Sequence, residues 1–545
     1  MAPVSTADPQ RARWRVVLNA GIVMAGTLAS RLLGLAREAI FSRLFGTSPE
    51  IGVFSATFTI LDILYLVIIG GALGSALIPV FSRLLQEDER RAWELANTVL
   101  TLAFVAFVAL AALVGLFARP LLALTVARGY ASDPALLDLA ARLLRLMLLQ
   151  PLLLGLGGLM MALLQSFDRF TLPAIAFNLY NLAIIAVALL WAPRAATTAE
   201  GVQIVALGVV LGALLYLLVQ LPGVIRAGLR FRPSFAWRMP EARRVGRLLA
   251  PRLLGQSALQ INIIVMTSLI GLLSASAQAA NRFAFQLLML PHGILAVSLG
   301  TVMFPRLTRL WAASNIDGLR RESIGALRVV LWLTVPAAVA LALLHVPVVR
   351  LLFQGGQFDD ESLRLTGRAL LFYTPGAIGL AGAEIVIRTF YAMEDTRTPV
   401  IVGIGTIILN GTLAYAFIQR VPDIGLVALA YSIANLLEFV VLLAILARRL
   451  HGFGESGLLR SFGAGAVSTI ALGALLMGSL TLGAPYVPVA YDSSYAGGGD
   501  FVRLAAWLAM TAAAGIAVYL GAGALLRAPE VREILALVRR RRNGR

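Results

Sequence analysis

The sequence predicts an all-α polytopic membrane protein of about fourteen transmembrane helices, built as two pseudo-symmetric six-helix lobes plus two C-terminal helices. Three observations predict it. Of 545 residues, 59% are hydrophobic, more than a soluble chain of this length could cover with its own polar surface. Apolar runs of about 18 or more residues recur along almost the whole chain, each long enough to cross a bilayer as a helix that satisfies its own backbone. Segments of the first half also return, in order, in the second. The apolar pattern shows no alternating ten-residue period, which argues against an outer-membrane barrel.

The elements follow from charged or Pro/Gly-rich breaks between apolar windows. The first span lies near 16–45; its core, Val16 to Leu33, is too long for a secretory signal and lacks a clear cleavage site. Spans near 51–82 and 93–118 flank the charged stretch 83–92, and the one near 134–164 is long enough to hold a broken helix. Spans near 171–192 and 202–222 complete a first lobe, residues 1–222. A cytoplasmic linker, 223–245, leads to a second lobe, 246–447, with spans near 246–272, 276–305, 326–346, 362–392, 398–418 and 424–447. Residues 448–525 hold spans near 461–481 and 502–525. The tail, 526–545, is basic, and Pro529 to Arg542 reads as a short amphipathic helix suited to anionic headgroups or simply to solvent.

Charge sets the orientation. The formal net charge is +18, and every basic residue is Arg. In a soluble protein this would suggest nucleic acid. Here the arginines sit in short loops, so anionic membrane lipid is the expected partner and nucleic acid is not. Alternate loops carry about 28 Arg on one side and about 5 on the other, which makes the Arg-rich side, with both termini, cytoplasmic. There is no Cys, which excludes disulfides and thiolate chemistry.

The repeat is carried by three matches. Ala29-Ser30-Arg31-Leu32-Leu33-Gly34 corresponds to Ala250-Pro251-Arg252-Leu253-Leu254-Gly255, an offset of 221 residues. Leu73 to Pro79 corresponds to Leu299 to Pro305, and Phe167-Asp168-Arg169 to Met393-Glu394-Asp395, both at 226, a difference that a small loop indel would give. Each copy spans about six helices. Six is even, so the copies enter the membrane in the same direction, and such bundles naturally enclose a cavity that opens to either side by rocking.

Ionisable side chains at membrane depth cost at least ~2.5–3.5 kcal/mol on insertion scales, so they face a cavity or a partner. The first span carries Arg31, Arg37, Glu38 and Arg43. A guanidinium fork suits phosphate or carboxylate. Arg31 and Arg37 are therefore candidates for binding an anionic headgroup, with an ion pair to Glu38 the alternative for Arg37. Arg43 fits snorkelling to the interface. Asp62 lies in the second span; Arg282 and Gln286 share a face of the eighth; Arg252, Gln256 and Gln260 form a stripe on the seventh, with Asn262 off it. Glu384 and Arg388 are spaced to pair with each other. The three histidines are scattered without metal spacing, and there is no nucleotide-binding loop, so neither a cofactor nor ATP hydrolysis is expected.

Ser30-Arg31-Leu32-Leu33-Gly34-Leu35-Ala36-Arg37-Glu38, then Phe45-Gly46, Gly71-Ala72-Leu73 and Ala76-Leu77-Ile78-Pro79, resembles the opening of the MurJ (MviN) family. Leu290-Pro291-His292-Gly293-Ile294, followed by Gly300-Thr301 and Phe304-Pro305, is similar too. The likeness runs from about residue 16 to about 525. It implies a lipid II flippase of the bacterial inner membrane, in the superfamily of MATE exporters and polysaccharide flippases. It also implies two six-helix lobes in a V and a groove for the polyprenyl tail at the last two spans. Arg31 and Arg37 match family arginines that face the cavity. The family's acid after the first span falls near Gly52, its second-span arginine near Tyr65, and a third arginine at Gln286, one turn from Arg282. The expected substrate is a lipid-linked oligosaccharide, handled by a monomer through alternating access. The alternatives are a flippase for another polyprenyl-linked glycan, a MATE-like cation-coupled exporter, and a scaffold that transports nothing.

Overall fold

The computed structural model describes residues 9–68, 72–452, 458–495 and 497–531. Among these the regular elements are helices. The first series is α1 (Pro9–Phe45), α2 (Pro49–Ile68), α3 (Ala72–Glu87), α4 (Glu89–Leu116), α5 (Ala118–Leu124), α6 (Pro134–Met147), α7 (Leu149–Ser166), α8 (Thr171–Leu190) and α9 (Thr198–Ile225). The second is α10 (Pro240–Gly271), α11 (Ala275–Pro291), α12 (Ser298–Ala312), α13 (Ile316–Leu343), α14 (His345–Phe353), α15 (Asp360–Ala392), α16 (Arg397–Arg420) and α17 (Ile424–Arg449). Then come α18 (Leu458–Gly483) and α19 (Gly499–Leu525).

Twelve stretches among the described residues are long and apolar enough to cross a membrane. They coincide with twelve of the expected spans. The other two, 16–45 and 246–272, are the helices α1 and α10, parts of whose side chains lie outside the described residues. The expected span 51–82 holds α2 and α3, with residues 69–71 between them outside the described residues, and 134–164 is α6 and α7. Span 276–305 is α11 and α12 joined by a π-helical turn, His292–Val297, directly after Pro291. Proline removes a backbone donor, and the wider turn takes up the slack in the ladder. Arg539 to Arg542, and with them most of the expected amphipathic tail, lie outside the described residues.

The repeat is stricter in the structure than in the residue matches. Helix boundaries recur 226 residues on: Phe45 and Gly271, Pro49 and Ala275, Pro134 and Asp360, Ser166 and Ala392, Thr171 and Arg397, Thr198 and Ile424. Helix caps recur with them. Asp133 and Asp359 each accept amide hydrogens at the start of their helices, as do Thr197 and Asp423. Asp168 and Glu394 both take left-handed φ values, 56° and 61°, at the turn after a long helix. Pro79 and Pro305 sit at the same place inside α3 and α12. The match of Ala29–Gly34 to Ala250–Gly255, offset by 221, falls outside this register. The loops after α1 and α10 are equally long, so no indel lies there. Leu/Ala/Gly-rich segments look alike by chance, and that pairing is corrected.

Two compact units divide the chain at 278/279. In the first, α10 packs on α2, α3 and α4 with the helices of the first series, whereas the sequence places the seventh span in the second lobe. The junction after α10 is held tightly. Gln278, 3% exposed, donates to the Val126 and Thr267 carbonyls at 2.7 and 2.8 Å and accepts from the Tyr130 hydroxyl at 2.9 Å. In the second unit, Gly376, Gly379 and Gly382 form a stripe on α15 that lets α17 approach: a Cβ on Gly379 would sit 2.6 Å from the Asn435 backbone. The Gly376 amide donates to Ser432 Oγ, which donates in turn to the Phe372 carbonyl. The helices α18 and α19 pack together on α13 through Trp332, Leu472, Leu476 and Tyr519, whose hydroxyl donates to the Trp332 carbonyl.

Outward faces are apolar, as lipid requires: Ile401, Ile404 and Ile408 of α16 are well exposed. Outside the spans, the turn after α15 is fixed by Asp395. Burial alone would raise its pKa, but the Thr398 hydroxyl and amide, Arg449 and the Arg397 amide outweigh burial and hold it below the usual carboxylate range. A depressed carboxyl stabilises the fold above its unfolded pKa, and that contribution is lost as pH falls through the lowered value.

Candidate functional site

The cationic half of α1 lies against α8. Ser30 and Arg37 are seven residues apart, two helical turns, and so share a face. Asn181 of α8 spans both: its Nδ2 donates to Ser30 Oγ at 3.3 Å, and its Oδ1 accepts from Arg37 Nη1 at 3.1 Å. Arg37 also donates to Glu38 Oε1, from Nη2 at 2.8 Å and Nε at 3.3 Å. The Glu38 side chain is 2% exposed and that of Arg37 is 17% exposed. Arg37 is therefore the cation of a nearly buried pair, the arrangement the sequence left as its alternative, with one edge still open. Arg43 is exposed near the end of the helix.

Arg31 is placed differently. It lines a cavity of about 330 Å³ between α1, α7 and α8, with Gly26, Thr27 and Ser30 on its own helix and Gln165 and Phe177 opposite. Among the described residues no carboxylate pairs with it. The hollow thus offers an uncompensated guanidinium, a hydroxyl and a carboxamide against apolar walls, which suits an anionic, hydroxyl-bearing group. Asn178, one turn before Asn181, closes one end by donating to the carbonyls of Gly26 and Ala174. The sequence reading missed Asn178, Asn181 and Gln165. The signal was there: two Asn one turn apart in the otherwise apolar α8.

The remaining candidates are more dispersed. Asp62 is exposed on α2, in the first unit. Arg282 and Gln286 are partly buried on α11, in the second. The side chains of Arg252 and Gln256 lie outside the described residues. Arg388 Nε reaches Glu384 Oε1 at 2.7 Å, the structural pair expected from their spacing.

Gly52 has a clear steric reason. A Cβ there would overlap the carbonyl of Ala275, because the first turns of α2 and α11 meet backbone to backbone. No side chain fits, acidic or otherwise. Gly52→Ala is expected to lower the stability of the first unit by about 1–3 kcal/mol, the usual cost of overpacking, read as a drop in melting temperature in detergent.

Residues 41–492 match the profile of the family described as "Lipid II flippase MurJ". The chain belongs to the MurJ family. Among the relatives of this MurJ-family chain are the lipid II flippase MurJ of Burkholderia cenocepacia, 29% identical over 78% of this chain and 82% of that protein, and the probable lipid II flippase MurJ of Vibrio cholerae, 27% identical over 80% and 83%. A solved lipid II flippase MurJ in an inward closed conformation superposes with a TM-score of 0.75 at 22% identity, covering 94% of this chain and 99% of that one. An inward-facing MATE-family multidrug transporter gives 0.65 at 16% identity, over 78% and 96%. These likenesses establish the MurJ/MATE fold of a multi-pass membrane protein. MurJ is a transporter rather than an enzyme. The profile match begins after Arg31 and Arg37, so their assignment rests on geometry.

Proposed function

We propose that this chain carries lipid II, the lipid-linked precursor of peptidoglycan, from the cytoplasmic to the outer leaflet of the bacterial inner membrane by alternating access. One observation carries the residue assignment: Arg31, without a carboxylate partner among the described residues, lines a cavity between α1, α7 and α8, beside the Arg37–Glu38–Asn181 cluster. A guanidinium fork binds phosphate oxygens through two parallel hydrogen bonds, so a diphosphate suits two such groups. Arg31 binds it directly, and the open edge of Arg37 adds the second fork. Asp62 and Arg252 in the first unit, and Arg282 and Gln286 in the second, are further candidate headgroup contacts. The isoprenoid tail stays in lipid and follows α18 and α19, whose exposed Phe462, Val467, Ile470, Met510 and Ile516 suit it. Both termini lie in the cytoplasm, where the Arg-rich loops meet anionic lipid.

The test is complementation. Expressed in a bacterium depleted of its own flippase, this chain is expected to restore growth and rod shape and, in proteoliposomes, to move labelled lipid II across the bilayer. Movement of another polyprenyl-linked glycan, with lipid II left in place, would replace the cargo. No movement of either would reduce the protein to a scaffold.

A further inference from the structure

The repeat exposes one position where the two copies differ in kind. In the first copy α8 and α9 pack closely at Gly212, where a Cβ would sit 2.7 Å from the Tyr180 carbonyl. Moved on by 226 residues, the same pair is Thr406 on α16 and Glu438 on α17. A carboxylate therefore stands where the first copy has a glycine packed against Tyr180.

Glu438 lies near the middle of α17, at membrane depth, and is partly buried. Its Oε1 rests against Gly403, 3.8 Å from where a Cβ would be, and Thr406 is its polar neighbour. The groups around it offer no free cation among the described residues. On α15, Arg388 is committed to Glu384, and Tyr391 lies within electrostatic reach of both Glu384 and Glu438. On α16 there is no charged side chain between Arg397 and Arg420. On α17 itself the near titratable group is Tyr431. At the helix ends, Arg368 pairs with Asp423 and Arg449 with Asp395. A carboxylate at this depth without a cation is stable as the neutral acid and becomes costly once charged, unless water reaches it.

We propose that Glu438 is the protonation site that couples transport to a proton gradient. The inference rests on the flippase reading for its role in transport, but the proton site stands or falls separately. When water enters between α16 and α17, the carboxylate takes a proton from hydronium, forming one O–H bond and leaving water. The neutral side chain then lets the two helices pack dry. When the crevice opens to the other side, the O–H bond breaks, the proton passes to water, and the charge holds the crevice wet until the next uptake. No bond to the cargo is made or broken.

The purified full chain in lipid vesicles tests this with dicyclohexylcarbodiimide, which reacts with protonated carboxyls in apolar surroundings. Labelling at Glu438, located by peptide mass spectrometry, is expected to fall as pH rises and to be absent in Glu438→Gln. The ion-paired Glu38 and Glu384 should stay unlabelled. Lipid II movement driven by an imposed pH gradient should be lost in Glu438→Gln and kept in Glu438→Asp. No labelling of Glu438 at any pH, or labelling that does not change with pH, overturns the proton site. Normal pH-driven movement in Glu438→Gln overturns its coupling role. If the wild type labels as expected yet moves no lipid II, it is the transport reading that fails.

Discussion

Arg31→Ala and Arg37→Ala are both expected to abolish lipid II movement, but their effects on folding should differ. Arg31 lines a cavity and makes no ion pair among the described residues, so its removal should leave the melting temperature unchanged while complementation is lost. Arg37→Ala strips Glu38, 2% exposed, of a guanidinium at 2.8 Å. Removing one member of a buried pair costs about 3–5 kcal/mol, because the remaining charge is left desolvated. Arg37→Ala should therefore lose both stability and transport. Adding Glu38→Gln to Arg37→Ala should return most of the stability and none of the movement. Restored movement in that double variant would show that Arg37 only packs the helix. Normal movement in Arg31→Ala would remove the cavity from the mechanism.

The second large effect is expected far from this site. After α19 the chain turns back at Arg527, with φ at 56°, and buries Glu530, whose side chain is 1% exposed. Its Oε1 accepts from Ser461 Oγ at 2.6 Å and meets Arg328 of α13 at 2.5 Å. One carboxylate thus ties the C-terminal segment to α13 and α18. Glu530→Ala is expected to destabilise the second unit by about 3–5 kcal/mol, by the same desolvation argument. Glu530→Gln keeps an acceptor for Ser461 and should lose less. Thermal unfolding in detergent measures both. If Glu530→Ala melts like the wild type, the pair adds nothing to stability and the segment is held by apolar contacts such as Ala528 and Val531 alone.

Much of this architecture is legible in the sequence because bilayer thickness imposes a length on every span, and hydropathy reports that length directly. The 226-residue register, carried by two of the three sequence matches, and the Glu384–Arg388 pair were readable for a similar reason, since both are questions of spacing along one chain. The bond from Arg37 to Asn181 was not legible, because the two lie 144 residues apart and only three-dimensional packing brings them together. Gly52 read as a missing acid, while its reason is a backbone contact with Ala275 that no local pattern encodes.

The place of α10 has a consequence for biogenesis. It opens the second series, yet it packs with the first unit and is locked there by Gln278. The ribosome must therefore deliver a helix beyond the duplication boundary before the earlier half can finish folding. Until then, the surfaces of α2, α3 and α4 that will receive it stay open to lipid or to the insertion machinery.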